Sequence, residues 1–394
     1  MGRAVSPTKR YLRLVLLGAL SVLLFQQLQK STSIRTWPVD DFVEYWAAAR
    51  LQLAGMNPYS PDALFPVQKA VGWSESSPVM MWNPPWTLAL VLPFGAWDYS
   101  NARLIWLLLH LAVLVGCVAA CLRSYEVPPR IRWVVWICVL IFFPFLFVLR
   151  AGQITPMVLL GVCGFLIFEE GHRYRRAAAI AALVTIKPHL LYLLWVAFLL
   201  WVLDRRLWRV LSAGAFTVVA ATLIPLAFNG KVLQQYMEAA TIHSPLDWAT
   251  PTLGGVLRML LGTERAWLQF VPSVVGCVWG VFHYRQHRGS WTWREQMPLL
   301  LLTSVLTSSY GAWTYDQVVL LPALVAAIHK ADRNASKTRR RVLVSLFLAA
   351  NVTAFVMNLR GVNEIWFFWM APVWLSLYWA ASNVKTSVRN QSTG

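Results

Sequence analysis

Long apolar runs, broken by short polar or basic stretches, recur along this chain of 394 residues. They fall at 14–28, 100–122, 133–149, 154–170, 177–187, 189–203, 207–228, 266–284, 297–307, 317–330, 341–358 and 364–383. The pattern predicts an all-α integral membrane protein with about 12 transmembrane helices and both ends in the cytoplasm. Several runs are shorter than the ~20 residues a perpendicular span needs. The pairs 177–187/189–203 and 297–307/317–330 also fit a re-entrant pair or one broken helix, which is tolerated where protein or a water-filled cavity covers the backbone. The first run follows Arg3, Lys9, Arg10 and Arg13 and resembles a signal peptide. Gln26–Ser33 offers no small-residue cleavage site, so the run reads as an uncleaved first span.

Between spans, two outer segments are long, 31–99 and 229–265, and neither holds enough apolar sequence for a separate soluble domain. The expected organisation is one membrane domain over 1–383 and a polar cytoplasmic tail over 384–394. In the first outer segment, 42–54 reads as an amphipathic helix on the membrane surface, closed by Gly55. Asp41 would be its N-cap, and Glu44 three residues on would complete a capping box.

Composition then tests the topology. The chain is 58% hydrophobic and 13% charged, with a formal net charge of +18. A soluble domain carries about 25% charged residues. Such a positive balance would suit nucleic acid if it were gathered on one soluble face, but here it is parcelled between apolar runs. The predicted cytoplasmic segments hold 24 of the 35 Lys and Arg and six of the 17 acids, which leaves the outer side with no net charge. That asymmetry is the positive-inside pattern. Many of the 22 tryptophans, among them Trp37, Trp133, Trp195, Trp208 and Trp267, sit at the ends of runs, as an interfacial aromatic belt requires. The five cysteines lie inside apolar runs without zinc or redox spacing.

A few outer residues carry candidate chemistry. Asp41, at a helix N-terminus, would stay ionised by the helix dipole and could take a proton from an acceptor hydroxyl. Lys187 lies between two short apolar runs, where an ammonium is either functional or snorkels to the surface. Arg150 caps a run or faces the same site. Asp316 opens the helix after Trp313, so it too reads as an N-cap or as a site carboxylate. His283 and His287 have the spacing of a metal pair, but they stand among cytoplasmic arginines, and no metal site is expected. No two aspartates stand two apart, so there is no D-x-D motif for a metal and nucleotide sugar.

The ordered set Asp41-Phe42, Tyr45, Ala48-Ala49, Gly55, Asn57-Pro58-Tyr59, Pro84-Pro85, Gly152-Gln153-Ile154, Lys187-Pro188 (His189 following) and Trp313…Asp316 resembles glycosyltransferase family 87. These are polyprenyl-phosphate-mannose-dependent α-mannosyltransferases of the GT-C fold. The resemblance implies an extracytoplasmic active site, a lipid-linked sugar donor, a glycolipid or glycan acceptor, no metal and no other cofactor. It implies an inverting transfer with Asp41 as base and Asp40 as the alternative. Substrate-binding roles are expected for Asn57, Tyr59, Arg150, Gln153, Lys187, His189, Trp313 and Asp316, with Lys187 and Arg150 neutralising the departing phosphate. Some members carry a histidine where this chain has Thr314-Tyr315-Asp316-Gln317, so no role is borrowed from it. The acceptor is expected at 229–265, near His243, Asp247 and Trp248. A transporter or flippase of lipid-linked sugars shares the spans and the buried lysine, and a non-catalytic envelope scaffold shares the spans.

Overall fold

The computed structural model describes residues 39–242 and 248–382, and among them there are helices and no strand. The first apolar run, Trp37, His243, Asp247 and the 384–394 tail lie outside the described residues. From Asp41 onward the chain forms one compact unit.

Among the described residues, four helices are long and apolar enough to cross a membrane: Tyr99–Ser124, Trp208–Phe228, Ala266–Ser290 and Lys337–Leu359. A fifth candidate is the pair Pro129–Ile141 and Phe143–Ala151, bent by 50°. The bend has a local cause. Pro144 has no N–H for the helical ladder, and the Phe143 N–H leaves it to donate to Asn351 Oδ1 at 2.6 Å.

The other expected runs are helical but shorter, such as Thr155–Glu170, Tyr192–Arg205 and Trp293–Thr307. The two ambiguous regions are broken. Tyr174–Ala181 passes into a 3-10 turn, Ala182–Ile186, and the 3-10 turn Asp316–Leu320 precedes Leu321–Asn334. Lys187 and Asp316 therefore both sit at irregular backbone.

The helix Phe42–Leu53 forms where the sequence puts it, and Gly55 closes it with φ +69°. It is not a surface helix. Ten of its twelve residues are buried, and Arg50 is the exposed one among its charged positions. Its polar positions had suggested amphipathicity, but they point into protein: Gln52 Nε2 donates to the Pro225 carbonyl at 2.6 Å. Ala47, Ala48 and Ala49 let the neighbouring helix Leu88–Gly95 come close, and a Cβ on Gly95 would lie 2.7 Å from Ala49 backbone carbon. An aromatic cluster of Phe42, Phe94 and Trp106, with ring centroids 5.0–6.0 Å apart, locks this layer to the Tyr99–Ser124 span.

Charged contacts divide into two ends. At one end Arg130 and Arg340 meet Asp332 at 2.6 and 3.4 Å, and Arg294 meets Glu126 at 2.8 Å. Every one of these residues belongs to a segment expected in the cytoplasm. At the other end, residues expected outside gather around Lys187.

Candidate active site

Two segments far apart in sequence, 41–45 and the one that carries Lys187, converge on one buried amide, Gln153. Its Nε2 donates to Asp41 Oδ2 at 2.9 Å and to Glu44 Oε1 at 3.3 Å. Its Oε1 accepts from Tyr45 OH at 2.8 Å and from Lys187 Nζ at 3.1 Å. Both donors and both lone pairs are thus used, and a flipped amide would set its NH2 against an ammonium. Gly152, in the left-handed region at φ +70°, ends the preceding helix and turns Gln153 inward.

Lys187 neither snorkels nor stands alone. Its Nζ pairs with Asp316 Oδ1 at 2.7 Å and donates to Thr155 Oγ1 at 3.2 Å. Thr155 in turn donates to the same Asp316 oxygen at 2.7 Å. The ring of Tyr315 lies 5.2 Å from the ammonium. A buried ion pair persists only when further hydrogen bonds satisfy both partners, and Thr155 and Gln153 do this for Lys187.

Neither aspartate is a cap. Asp41 has helical backbone angles and its side chain caps nothing; Tyr315 precedes the 3-10 turn, and Asp316 spends one oxygen on Lys187 and Thr155. Glu44 likewise turns to Gln153 instead of closing a capping box. The helix dipole does not govern the state of Asp41 either. Burial pushes its carboxyl above the usual aspartate value, against the opposing pull of Gln153 and Lys187. Burial and the nearby Asp41 push Glu44 up to about 8. A fourth acid, Glu364, accepts from Thr314 Oγ1 at 3.0 Å.

Other expected residues fall in three groups. His189 borders the cluster: a Cβ on Gly311 would lie 3.0 Å from its Nε2 and 3.3 Å from Asp316 Oδ2. Asn57 and Tyr59 build the loop. Asn57 Oδ1 accepts the Tyr59 N–H at 2.9 Å, and the buried Tyr59 hydroxyl reaches the Asn83 carbonyl at 3.3 Å. Asn83 then donates to the Ile186 carbonyl at 3.0 Å, which ties that loop to the residue before Lys187. Arg150 is not at the cluster. It is exposed and reaches Asn358 at 3.5 Å. Asp40 is half-buried beside Asp41 in sequence.

Sequence reasoning did not pick out Thr155 or Glu364, named Tyr45 only as part of the motif without a role, and took Glu44 for a cap. Thr155 had a signal, since it follows Gly152-Gln153-Ile154 directly. A lone glutamate at 364 had none. Three tryptophans from three segments meet one another. Trp248 packs edge to face on Trp82 at 5.6 Å and tilts toward Trp313 at 6.4 Å. Trp248 is 38% exposed.

The sequence matches the model of glycosyltransferase family 87 over residues 82–309, more than half of its length. The chain belongs to this family. It is therefore a membrane glycosyltransferase, which sets aside the transporter and scaffold readings. No curated protein and no solved structure matches it. The matched stretch contains Gln153, Lys187 and His189 but neither Asp41 nor Asp316. For those two acids the case rests on geometry.

Proposed function

We propose that this family 87 member transfers a sugar, with mannose the one implied, from a polyprenyl-phosphate donor to a hydroxyl of a glycolipid or glycan. The site faces away from the cytoplasm, in a GT-C-type bundle of about 12 spans with cytoplasmic termini. The acceptor oxygen attacks the anomeric carbon from the side opposite the phosphate, so the configuration inverts. The bond from that carbon to the phosphate oxygen breaks, polyprenyl phosphate leaves as the anion, and Asp41 takes the acceptor proton.

One observation carries this reading: Asp41 is held by Gln153, which is itself held by Lys187. A base and a fixed cation thus share one buried network. The raised proton affinity of Asp41 suits a base. The Lys187 N–H groups go to Gln153, Thr155 and Asp316, so the ammonium acts on the departing phosphate by its field. Arg150 takes no part.

A cavity of about 270 Å³ supports a lipid donor. Phe142, Leu302, Leu320, Val344, Phe347 and Trp374 line it, so it is apolar enough for a polyprenyl tail. Leu320 ends the 3-10 turn that Asp316 begins, and Trp374 Nε1 bonds Gln317 Oε1 at 2.9 Å.

The test is release of polyprenyl phosphate from polyprenyl-phosphate-mannose by purified protein supplied with envelope glycolipids. Asp41→Asn is expected to lower kcat by roughly 10²–10⁴-fold, the usual worth of a positioned base. Turnover equal to wild type would remove Asp41 from the role.

A further inference from the structure

The arginines of this protein are not all engaged alike. Arg130, Arg340 and Arg294 reach acids at 2.6–3.4 Å. Arg173, Arg175, Arg176, Arg206 and Arg209 reach none, and among the described residues no hydrogen bond or ion pair takes up their guanidinium groups. All five are exposed, and all five line one open hollow of about 830 Å³, together with His172, Tyr174 and Trp208 and no acid. Glu169, at the end of the preceding helix, interacts with Arg205 and His172 instead. Scattered basic residues on this side follow from topology alone, but five gathered unpaired around one hollow do not.

Two fixed turns build the hollow. The turn after Thr155–Glu170 holds His172 at φ +55°, and the turn after Tyr192–Arg205 holds Arg206 at φ +53°. In each, the next N–H bonds back five residues: Arg173 to the Phe168 carbonyl at 2.8 Å, and Leu207 to the Val202 carbonyl at 2.9 Å. The helices that follow, Tyr174–Ala181 and Trp208–Phe228, lie side by side, since a Cβ on Gly214 would sit 3.5 Å from the Ala178 carbonyl oxygen. Arg175, Arg176 and Arg209 thus stand in the first turns of neighbouring helices, whose dipoles add charge of the same sign. Such a set attracts an anion, and the planar guanidinium fork matches phosphate oxygens.

The helix beside the hollow indicates what the phosphate is attached to. Only 11% of the most apolar stretch of Trp208–Phe228 is buried, the lowest share among the four long spans. Trp208, Leu211, Phe216, Val219 and Leu223 are exposed and lie on one side of it. Trp208, 54% exposed, stands where this apolar side meets the arginines. A soluble phosphate would use the hollow and leave the apolar side bare, whereas a phospholipid uses both. We infer that this hollow binds the headgroup of an anionic phospholipid, with the chains laid along the Trp208–Phe228 helix. That the lipid belongs to the cytoplasmic leaflet rests on the orientation proposed above; the binding itself is independent of the transfer reaction.

The experiment titrates full-length protein in a neutral detergent with cardiolipin, phosphatidylcholine or sodium pyrophosphate, and reads bound ligand by native mass spectrometry. Cardiolipin is expected to bind more tightly than phosphatidylcholine by on the order of 10²-fold, because each basic side chain near a lipid headgroup contributes about fivefold. The combined variant Arg175→Gln, Arg176→Gln, Arg209→Gln should lose most of that advantage. Its control, Arg130→Gln, Arg294→Gln, Arg340→Gln, removes the same charge from the same side and should change the affinity no more than a few-fold. Trp208→Ala should weaken cardiolipin several-fold and leave pyrophosphate, which binds weakly in both proteins, as it was. An equal loss in the two triple variants would overturn the hollow and assign the effect to net charge. Phosphatidylcholine bound as tightly as cardiolipin would overturn the role of the arginines, and pyrophosphate bound as tightly would overturn the lipid. Melting temperatures measured without lipid, equal in wild type and the five-exposed-arginine variant, separate lost affinity from lost folding, and Trp208→Ala decides the matter should that variant melt early. Release of polyprenyl phosphate enters none of these readouts, so the transferase reading stands or falls separately.

Discussion

Glu44 carries a pH signature that Asp41 alone would not. Its carboxyl is raised to about 8 by burial and by Asp41, so the folded protein holds a proton there that the unfolded chain releases near the ordinary value of 4.5. The sign follows by linkage: folded protein binds more protons between those values, so stability falls as pH rises from about 4.5 through 8. Glu44→Gln keeps the shape and removes the titration. Its melting temperature in detergent should vary less between pH 5 and 8 than that of wild type, and an equal slope would show that Glu44 is not the group responsible. At this scale the sequence was legible where charge is expensive. Lys187 stood out because an ionised group among apolar runs needs partners, and Asp41 because it opens a helix on the side expected outside. Glu44 was hidden by a satisfactory local explanation, the capping box, which a long-range bond to Gln153 displaced. Arg150 misled for the converse reason. A cation at the end of a run reports which side of the membrane it is on, and says nothing of where its side chain turns once Gly152 ends the helix.

Elements were legible in position and less so in environment. The bounds of the Phe42–Leu53 helix follow from its apolar pattern and Gly55, but its burial depends on partners remote in sequence. The close approach of Gly95 to Ala49 and Arg50 gives a direct check. Gly95→Leu has no room, and overpacking of this kind costs about 1–3 kcal/mol or more. Its melting temperature should drop clearly, whereas Gly116→Ala, with nothing within 4 Å of the new Cβ, should leave it unchanged. Equal melting of Gly95→Leu and wild type would mean the two helices are not packed this way. The loops carry a separate expectation. Trp82, Trp248 and Trp313 form a partly exposed aromatic group, and such side chains commonly line ligand sites. Trp248→Ala should raise the KM for the glycan acceptor several-fold while the KM for the lipid donor stays as it was. A matching rise in both would assign Trp248 to folding of the 229–265 segment.

For the whole molecule, the orientation proposed above rests on charge and apolarity. The contacts among Arg130, Arg340, Asp332, Arg294 and Glu126 all join segments assigned to the cytoplasm, and the network of Asp41, Gln153, Lys187 and Asp316 joins segments assigned outside. The number of crossings was harder to read, because half-length helices joined by 3-10 turns look in sequence like short spans. Such breaks are admissible only where backbone is covered by protein, and both of them meet at the Lys187–Asp316 pair. The proposed orientation rests on the basic excess of the segments assigned to the cytoplasm. Two exposed positions test it in a cysteine-free background of the intact protein. Cysteine at Glu238 should react with a membrane-impermeant maleimide on intact cells, and cysteine at Asn334 only after the membrane is opened. Labelling of both from the same side would break the topology, and with it the placement of Asp41 on the face where a lipid-linked donor is to be used.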